Sequence, residues 1–213
     1  MRKLVLGAVA LASFGCGVPL DDSPRAMQST RSGEPSPTSV AQGDTAAYIY
    51  MLLDGSLVPA AREVSSRQPG PILDSVVQAP TADETTAGFI SQVPMGTEVL
   101  GSVQSGDVLS VDLSTEFENV IGRTRQEAIG QMVFSATDLP GINEVTFSID
   151  GTPLQVSSPT RGDVERVMDC DFLPLLPTDD KIVAAGIGID AARRVISRRR
   201  GLEERCPQVE AGS

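Results

Sequence analysis

Residues 124–156 read TRQEAIGQMVFSATDLPGINEVTFSIDGTPLQV, and the way this stretch divides decides the fold. Ile129, Met132, Val133, Ala136 and Leu139 recur at the spacing of one helix face, with Thr124 and Glu127 in front as a T-x-x-E cap and Pro140-Gly141 behind as a stop. The period then drops to two. Val145, Phe147 and Ile149 alternate with polar residues, Asp150-Gly151 turns the chain, and Leu154 and Val156 return. A helix therefore leads into a hairpin.

The same grammar extends upstream. Glu98 to Val103 and Asp107 to Ser114 form a hairpin in which Leu109, Val111 and Leu113 alternate, preceded by a loop around Pro94-Met95-Gly96. Before it, Pro71 opens a helical run with Ile72, Leu73, Val76 and Val77 on one face, and Thr81 with Glu84 makes another capping box. Earlier still, Ala47 to Leu53 and Leu57 to Val64 flank an Asp54-Gly55 turn, with Pro59 suited to an edge strand or a bulge. The order hairpin, helix, hairpin, helix, hairpin predicts an α+β fold: an antiparallel or mixed sheet of about six strands with two amphipathic helices on one face.

Composition fits one domain with appendages. Aromatic residues are only 4% and Trp is absent, so the core falls to Val, Ile, Leu and Ala. Between Asp44 and Val156 there are 15 acids against four arginines, which accounts for the whole net charge of −11. A surface this acidic repels phosphate backbones and argues against nucleic acid as a partner.

The front of the chain is read as an address. MRKLVLGAVALASFG, residues 1–15, has a basic start and an apolar run shorter than the ~20 residues that span a bilayer, the pattern of a signal peptide. Gly15-Cys16 then suggests a lipobox, with Cys16 as the lipid attachment site and two acyl chains as the anchor, although Ser13 and Phe14 depart from the usual pattern. Residues 16–43 lack any apolar period and read as a disordered tether with a reach of roughly 30 Å. The expected location is the outer face of the cytoplasmic membrane.

Three stretches together carry a family resemblance: YIYMLLDGSLVPAAREV (48–64), VPMGTEVLGSVQSGDVLSVDLSTEF (93–117) and QEAIGQMVFSATDLPGINEVTFSIDGTPLQV (126–156), with Thr81 and Glu84 between the first two. This order and spacing resembles the GerMN domain of sporulation and spore-germination proteins and of envelope lipoproteins from high-GC Gram-positive bacteria. CGVPLDDSPR (16–25) is similar to the start of such lipoproteins. The resemblance covers residues 44–157 and leaves 158–213 as a C-terminal extension. It implies an envelope-anchored module with no established reaction and no catalytic residues to carry over; in spore formers such domains support assembly of a protein complex between membranes. The partner expected is an envelope or membrane protein, and no cofactor is implied.

Chemistry-bearing residues are few. The chain has no His, which removes Ser-His-Asp, Cys-His and the common zinc-hydrolase arrangements. The acid pairs Asp83-Glu84, Glu116 with Glu118, Asp169 with Asp171, and Asp179-Asp180 leave glycan hydrolysis as the enzymatic alternative, beside a regulatory lipoprotein that contacts a membrane sensor. Asp169 and Asp171 supply only a fragment of a calcium loop. Once Cys16 is assigned to lipid, Cys170 and Cys206 remain as a candidate disulfide in an oxidising compartment.

Two motifs invite over-reading. Gly186, Gly188 and Ala191 spell G-x-G-x-x-A, but too little chain follows for a second strand and its ribose-binding acid. Arg161-Gly162-Asp163 matches an adhesion tripeptide by chance readily. The region of the basic segment Arg193 to Arg205 is expected as a helix, or a loop plus helix, with Ala185, Ile189, Ala192 and Ile196 on one side and Arg193, Arg194 and Arg198 to Arg200 exposed. Simple solvation is the first expectation for those arginines; folding back on the acidic domain and contact with an anionic surface are the alternatives.

Overall fold

The structure is a computed structural model that describes residues 45–206. The proposed signal peptide, Cys16 and the tether lie outside the described residues.

The Asp54-Gly55 turn has positive φ at both positions, 49° and 73°, the geometry that joins tightly twisted antiparallel strands. It links β1 (Ala46–Leu53) to β2 (Ser56–Glu63), which pair antiparallel as a separate two-stranded sheet. Pro59 sits in β2, whose second edge pairs with no strand among the described residues. β1 is buried on both faces, because the run from Ile49 to Leu53 is covered from two sides. Tyr50 stacks at 5.3 Å from Phe134, while Met51 lies against Arg62.

Helices α1 (Pro69–Val77) and α2 (Ala82–Thr86) follow, and α2 starts with the expected capping box: Glu84 N donates to Thr81 Oγ1 at 3.2 Å and Thr81 N to Glu84 Oε2 at 2.7 Å. Next come β3 (Val99–Ser105) and β4 (Val108–Leu113), then a 3-10 turn over Thr115–Asn119, α3 (Gly122–Ala136) and β5 (Glu144–Ile149). β3 and β4 pair antiparallel, whereas β4 and β5 pair in parallel because α3 carries the chain back to the starting end. β6 (Thr152–Leu154) continues this sheet.

The class is α+β with mixed pairing, as the periodicities imply; among the described residues the strands number nine, five of them in the main sheet and two in each of two smaller ones. Val156 does not return along β5. It opens β7 (Val156–Ser158), which pairs with β8 (Gly162–Val164), and β9 (Arg166–Val167) then takes the free end of the β5 edge. Thr124 and Glu127 do not cap α3: the helix begins at Gly122, and Glu127 instead accepts from Arg123 Nε at 2.7 Å.

Leu109, Val111, Leu113, Val145, Phe147 and Ile149 supply the inner face of the main sheet, against Ile129, Met132 and Val133 of α3. Gly130 permits the closest approach. A Cβ there would stand 3.0 Å from Cδ1 of both Leu57 and Leu175 and 3.3 Å from Phe172 Cδ1. Gln131 and Ser135, polar yet fully buried, finish the open edge of β1: Tyr50 N donates to Ser135 Oγ at 2.9 Å, and Gln131 Nε2 donates to the Tyr50 carbonyl at 3.3 Å.

The C-terminal residues build a 3-10 turn over Asp169–Leu175, then α4 (Asp179–Ala185) and α5 (Ile189–Arg205). Phe172, Leu176, Val195 and Leu202 join the same core. The buried side of α5 is Val195 and Leu202, not the line through Ala185 and Ile189, since Gly186 turns left-handed between two helices and leaves Ile189 exposed.

Candidate functional site

The β3 edge of the main sheet is a distinctive surface. β3 reads VLGSVQS and bonds to β4 alone among the described strands. No Lys, Arg, Asp, Glu or Pro interrupts it; its guards are a bulge between Val99 and Gly101 and the packing of α1, where a Cβ at Gly70 would stand 3.3 Å from Ser102 Oγ. Val103 is 68% exposed and Leu100 50%, and Met95 in the preceding loop is 91% exposed. Exposed acids, Glu98 and Asp107, flank the strand at its two ends. An uncharged edge with two exposed apolar side chains thus lies between two negative charges.

A second cluster joins α5 to β1 and α3. Asp138 accepts from Arg194 Nη1 at 2.9 and 3.1 Å and from Arg198 Nη1 at 3.1 Å, while Arg198 also donates to Asp169 at 3.2 Å and to the Thr137 hydroxyl at 2.5 Å. The Arg194 guanidinium lies over the Tyr48 ring at 4.1 Å, and that of Arg198 over Phe134 at 5.2 Å. The expected row of exposed arginines is therefore corrected. Arg198 is 12% exposed, because aromatic faces and two acids draw it inward. Beneath it the Tyr50 hydroxyl is buried with no hydrogen-bond partner among the described residues, and burial, outweighing the nearby Arg198 charge, pushes its pKa up to about 12.

Cys170 and Cys206 are joined by a disulfide, Cα to Cα 5.6 Å, that fastens the end of α5 to the Asp169–Leu175 turn. Arg161 does not present an adhesion motif. Its guanidinium bonds Asp171, a carboxyl that burial works to raise in pKa but that hydrogen bonds from Arg161, Met168 N and Ser158, with the charge of Arg161, hold below the usual range. Glu84 behaves alike: burial opposes ionisation, and Arg62 and Thr81 outweigh it. Arg62 donates to both Glu84 oxygens and to the Ser75 and Ala79 carbonyls, tying β2 to the ends of both neighbouring helices.

Each of the acid pairs singled out in the sequence thus has at least one member bonded to arginine, apart from Glu116 and Glu118 on their exposed turn. Asp169 meets Arg198 and Arg205, and Asp179 meets Arg200. Among the described residues no group of three or more His, Cys, Asp or Glu side chains is placed to hold a metal. Gly186 and Gly188 lie between helices α4 and α5, not after a strand, so the phosphate-binding context of a dinucleotide fold is missing at that motif.

The β1–β6 framework carries the family signature. A family model described as "Germane: Sporulation and spore germination" matches residues 48–155. The chain belongs to this family. Several solved structures resemble it at low identity. The tandem GerMN domains of the sporulation protein GerM from Bacillus subtilis share 19% identity at a TM-score of 0.49, over 59% of this chain and 46% of that one. The first GerMN domain of the same protein gives 18% and 0.46, over 58% and 94%. A putative lipoprotein from Clostridium perfringens gives 15% and 0.42, over 59% and 87%. The chain thus matches about half the length of the tandem-domain protein. No curated protein sequence matches it. Beyond the Germane region, residues from 156 onward add Val156, Phe172, Val195 and Leu202 to the core. No helix among the described residues is long and apolar enough to cross a membrane.

Sequence reasoning found Cys170, Cys206 and the basic helix. It did not find Tyr48, Asp138 or Arg62, whose partners are distant in the chain; the only local signal was an aromatic pair on one face of β1.

Proposed function

We propose that this Germane-family chain is a non-catalytic interaction module of the cell envelope, exported, held at the outer face of the cytoplasmic membrane by lipid on Cys16, and docked to an envelope protein through β3. The open edge of β3 carries the reading. A partner strand laid along Val99–Ser105 satisfies its outward backbone groups, covers Val103 and Leu100, and meets Glu98 and Asp107 if its own ends are basic. The signal peptide, the Cys16 motif and the tether supply the address and a stand-off from the bilayer. Engagement of Glu84, Asp169, Asp171 and Asp179 by arginine supports binding over carboxylate catalysis.

Two variants test the two halves separately. Cys16→Ala releases the chain from the membrane fraction, and an unchanged membrane pool removes the anchor. Val103→Lys leaves the melting temperature unaltered and abolishes crosslinking to the partner in intact cells; retention of the same crosslinked species removes β3 from the account.

A further inference from the structure

The cleft between β1 and the first turns of α5 has no part in strand docking. It is an open depression of about 620 Å³ lined by Tyr48, Asp138, Arg193, Arg194, Ser197 and Arg198, with Asp190 the second acid. In a chain of net charge −11, this is a place where three arginines gather beside Asp138 and Asp190, with Asp169 also bonded to Arg198.

The donors are left over. Asp138 already accepts from Arg194 and Arg198 through one nitrogen of each, so its charge is neutralised and Nε and Nη2 of Arg194 have no acceptor among the described residues. The Arg193 guanidinium and the Tyr48 and Ser197 hydroxyls likewise have no hydrogen-bond partner within the described residues. Stacking of Arg194 on Tyr48 at 4.1 Å holds the guanidinium plane, which reduces the ordering cost of a two-point contact. Surplus N–H and O–H groups around one cavity call for a ligand with several lone pairs and negative charge. Guanidinium forks fit tetrahedral oxyanions in this way.

We propose that the Tyr48–Arg193–Arg194–Ser197 cleft is an oxyanion site that binds the phosphoryl group of a phosphate ester. The depression is wider than a phosphoryl group, which leaves room beside it for the rest of the ligand. Lipid headgroups and soluble phosphate esters share this chemistry. The site is independent of β3, and its failure leaves strand docking untouched.

Inorganic phosphate is the probe. It is titrated into the full chain at constant ionic strength, with chloride as the replaced ion, while the amide signals of Tyr48 and residues 193–198 are followed by NMR. Saturable shifts are expected in the parent. Arg193→Gln with Ser197→Ala, both solvent-exposed positions that leave the fold intact, weakens phosphate binding at least tenfold, and Arg194→Lys, which keeps the charge but loses the fork, does the same. Arg67→Gln, at an exposed arginine outside the cleft, binds as the parent does. Equal affinity in parent and cleft variants, or no saturation, overturns the proposal. Co-sedimentation of the Cys16→Ser chain with phosphatidylglycerol vesicles, but not phosphatidylcholine vesicles, lost on Arg193→Gln, assigns the headgroup source; phosphate binding without such sedimentation assigns a soluble ester.

Discussion

Arg161 closes on Asp171 as a fork, with Nε 2.5 Å from Oδ1 and Nη2 2.7 Å from Oδ2. Ser158 Oγ at 2.9 Å and Met168 N at 2.8 Å complete the ring of donors around a carboxyl that is 1% exposed. The contact staples the β7–β8 hairpin to the turn that carries Cys170. Removing the acid strands these donors, so Asp171→Ala should lower unfolding free energy by about 2 to 4 kcal/mol in urea titration; Arg161, being 41% exposed, recovers water and limits the loss.

Acid sensitivity follows from the same group. The folded pKa of Asp171 lies below its unfolded value, so its contribution is fully present above the ordinary carboxylate range and is lost as pH falls through the lowered folded pKa. Glu84 has the same sign. Unfolding free energy measured from pH 6 downward should fall less steeply in Asp171→Asn than in the parent.

The Tyr50 hydroxyl acts at the opposite end of the scale. Raised to about 12, it favours the fold below the unfolded value near 10, and that stability is lost as pH rises from 10 through 12. Tyr50→Phe removes a buried donor without a partner, so it should be neutral or stabilising by up to about 1 kcal/mol at pH 7. Above pH 10 the variant should outlast the parent in alkaline unfolding; equal alkaline midpoints would refute the placement of this hydroxyl.

The Cys170–Cys206 bond closes 36 residues of chain. In the chain-entropy picture its loss costs roughly 3 to 4 kcal/mol. Full reduction, or Cys170→Ser with Cys206→Ser, should lower the urea midpoint and speed amide exchange in α5 before the main sheet responds.

Gly130 separates two effects of opposite sign. Alanine there gains about 0.5 to 1 kcal/mol of helix propensity and loses a similar amount to contacts at 3.0 Å, so Gly130→Ala should be nearly neutral. Gly130→Leu should cost about 1 to 3 kcal/mol, because Leu57, Leu175 and Phe172 close the space. Thermal denaturation of both variants checks the difference.

Local signals in the sequence reached the local structure. Asp54-Gly55, Asp150-Gly151, the Thr81–Glu84 box and the apolar spacing of α3 each act within a few residues, and each element formed where its pattern lies. What could not be read is set by distant partners. Gln131 and Ser135 look like solvent-facing helix residues, yet they serve the backbone of Tyr50 more than eighty positions away. Arginines on α5 look solvated until aromatic rings of β1 and α3 and the acids Asp138 and Asp169 are brought beside them. Val156 carries a strand signal that two hairpins could use, and only the β8 residues decide between them. The β3 edge was legible as a strand, but its lack of a neighbour is a property of sheet order.

Site-specific photocrosslinking in intact cells tests strand docking most directly. A photoreactive residue is placed at Val103, and in a parallel strain at Val183, which is 84% exposed on α4 and distant from β3 in the chain. The account predicts one discrete protein adduct from position 103 and none of that mass from position 183. No adduct at 103, or the same adduct from both positions, would contradict it.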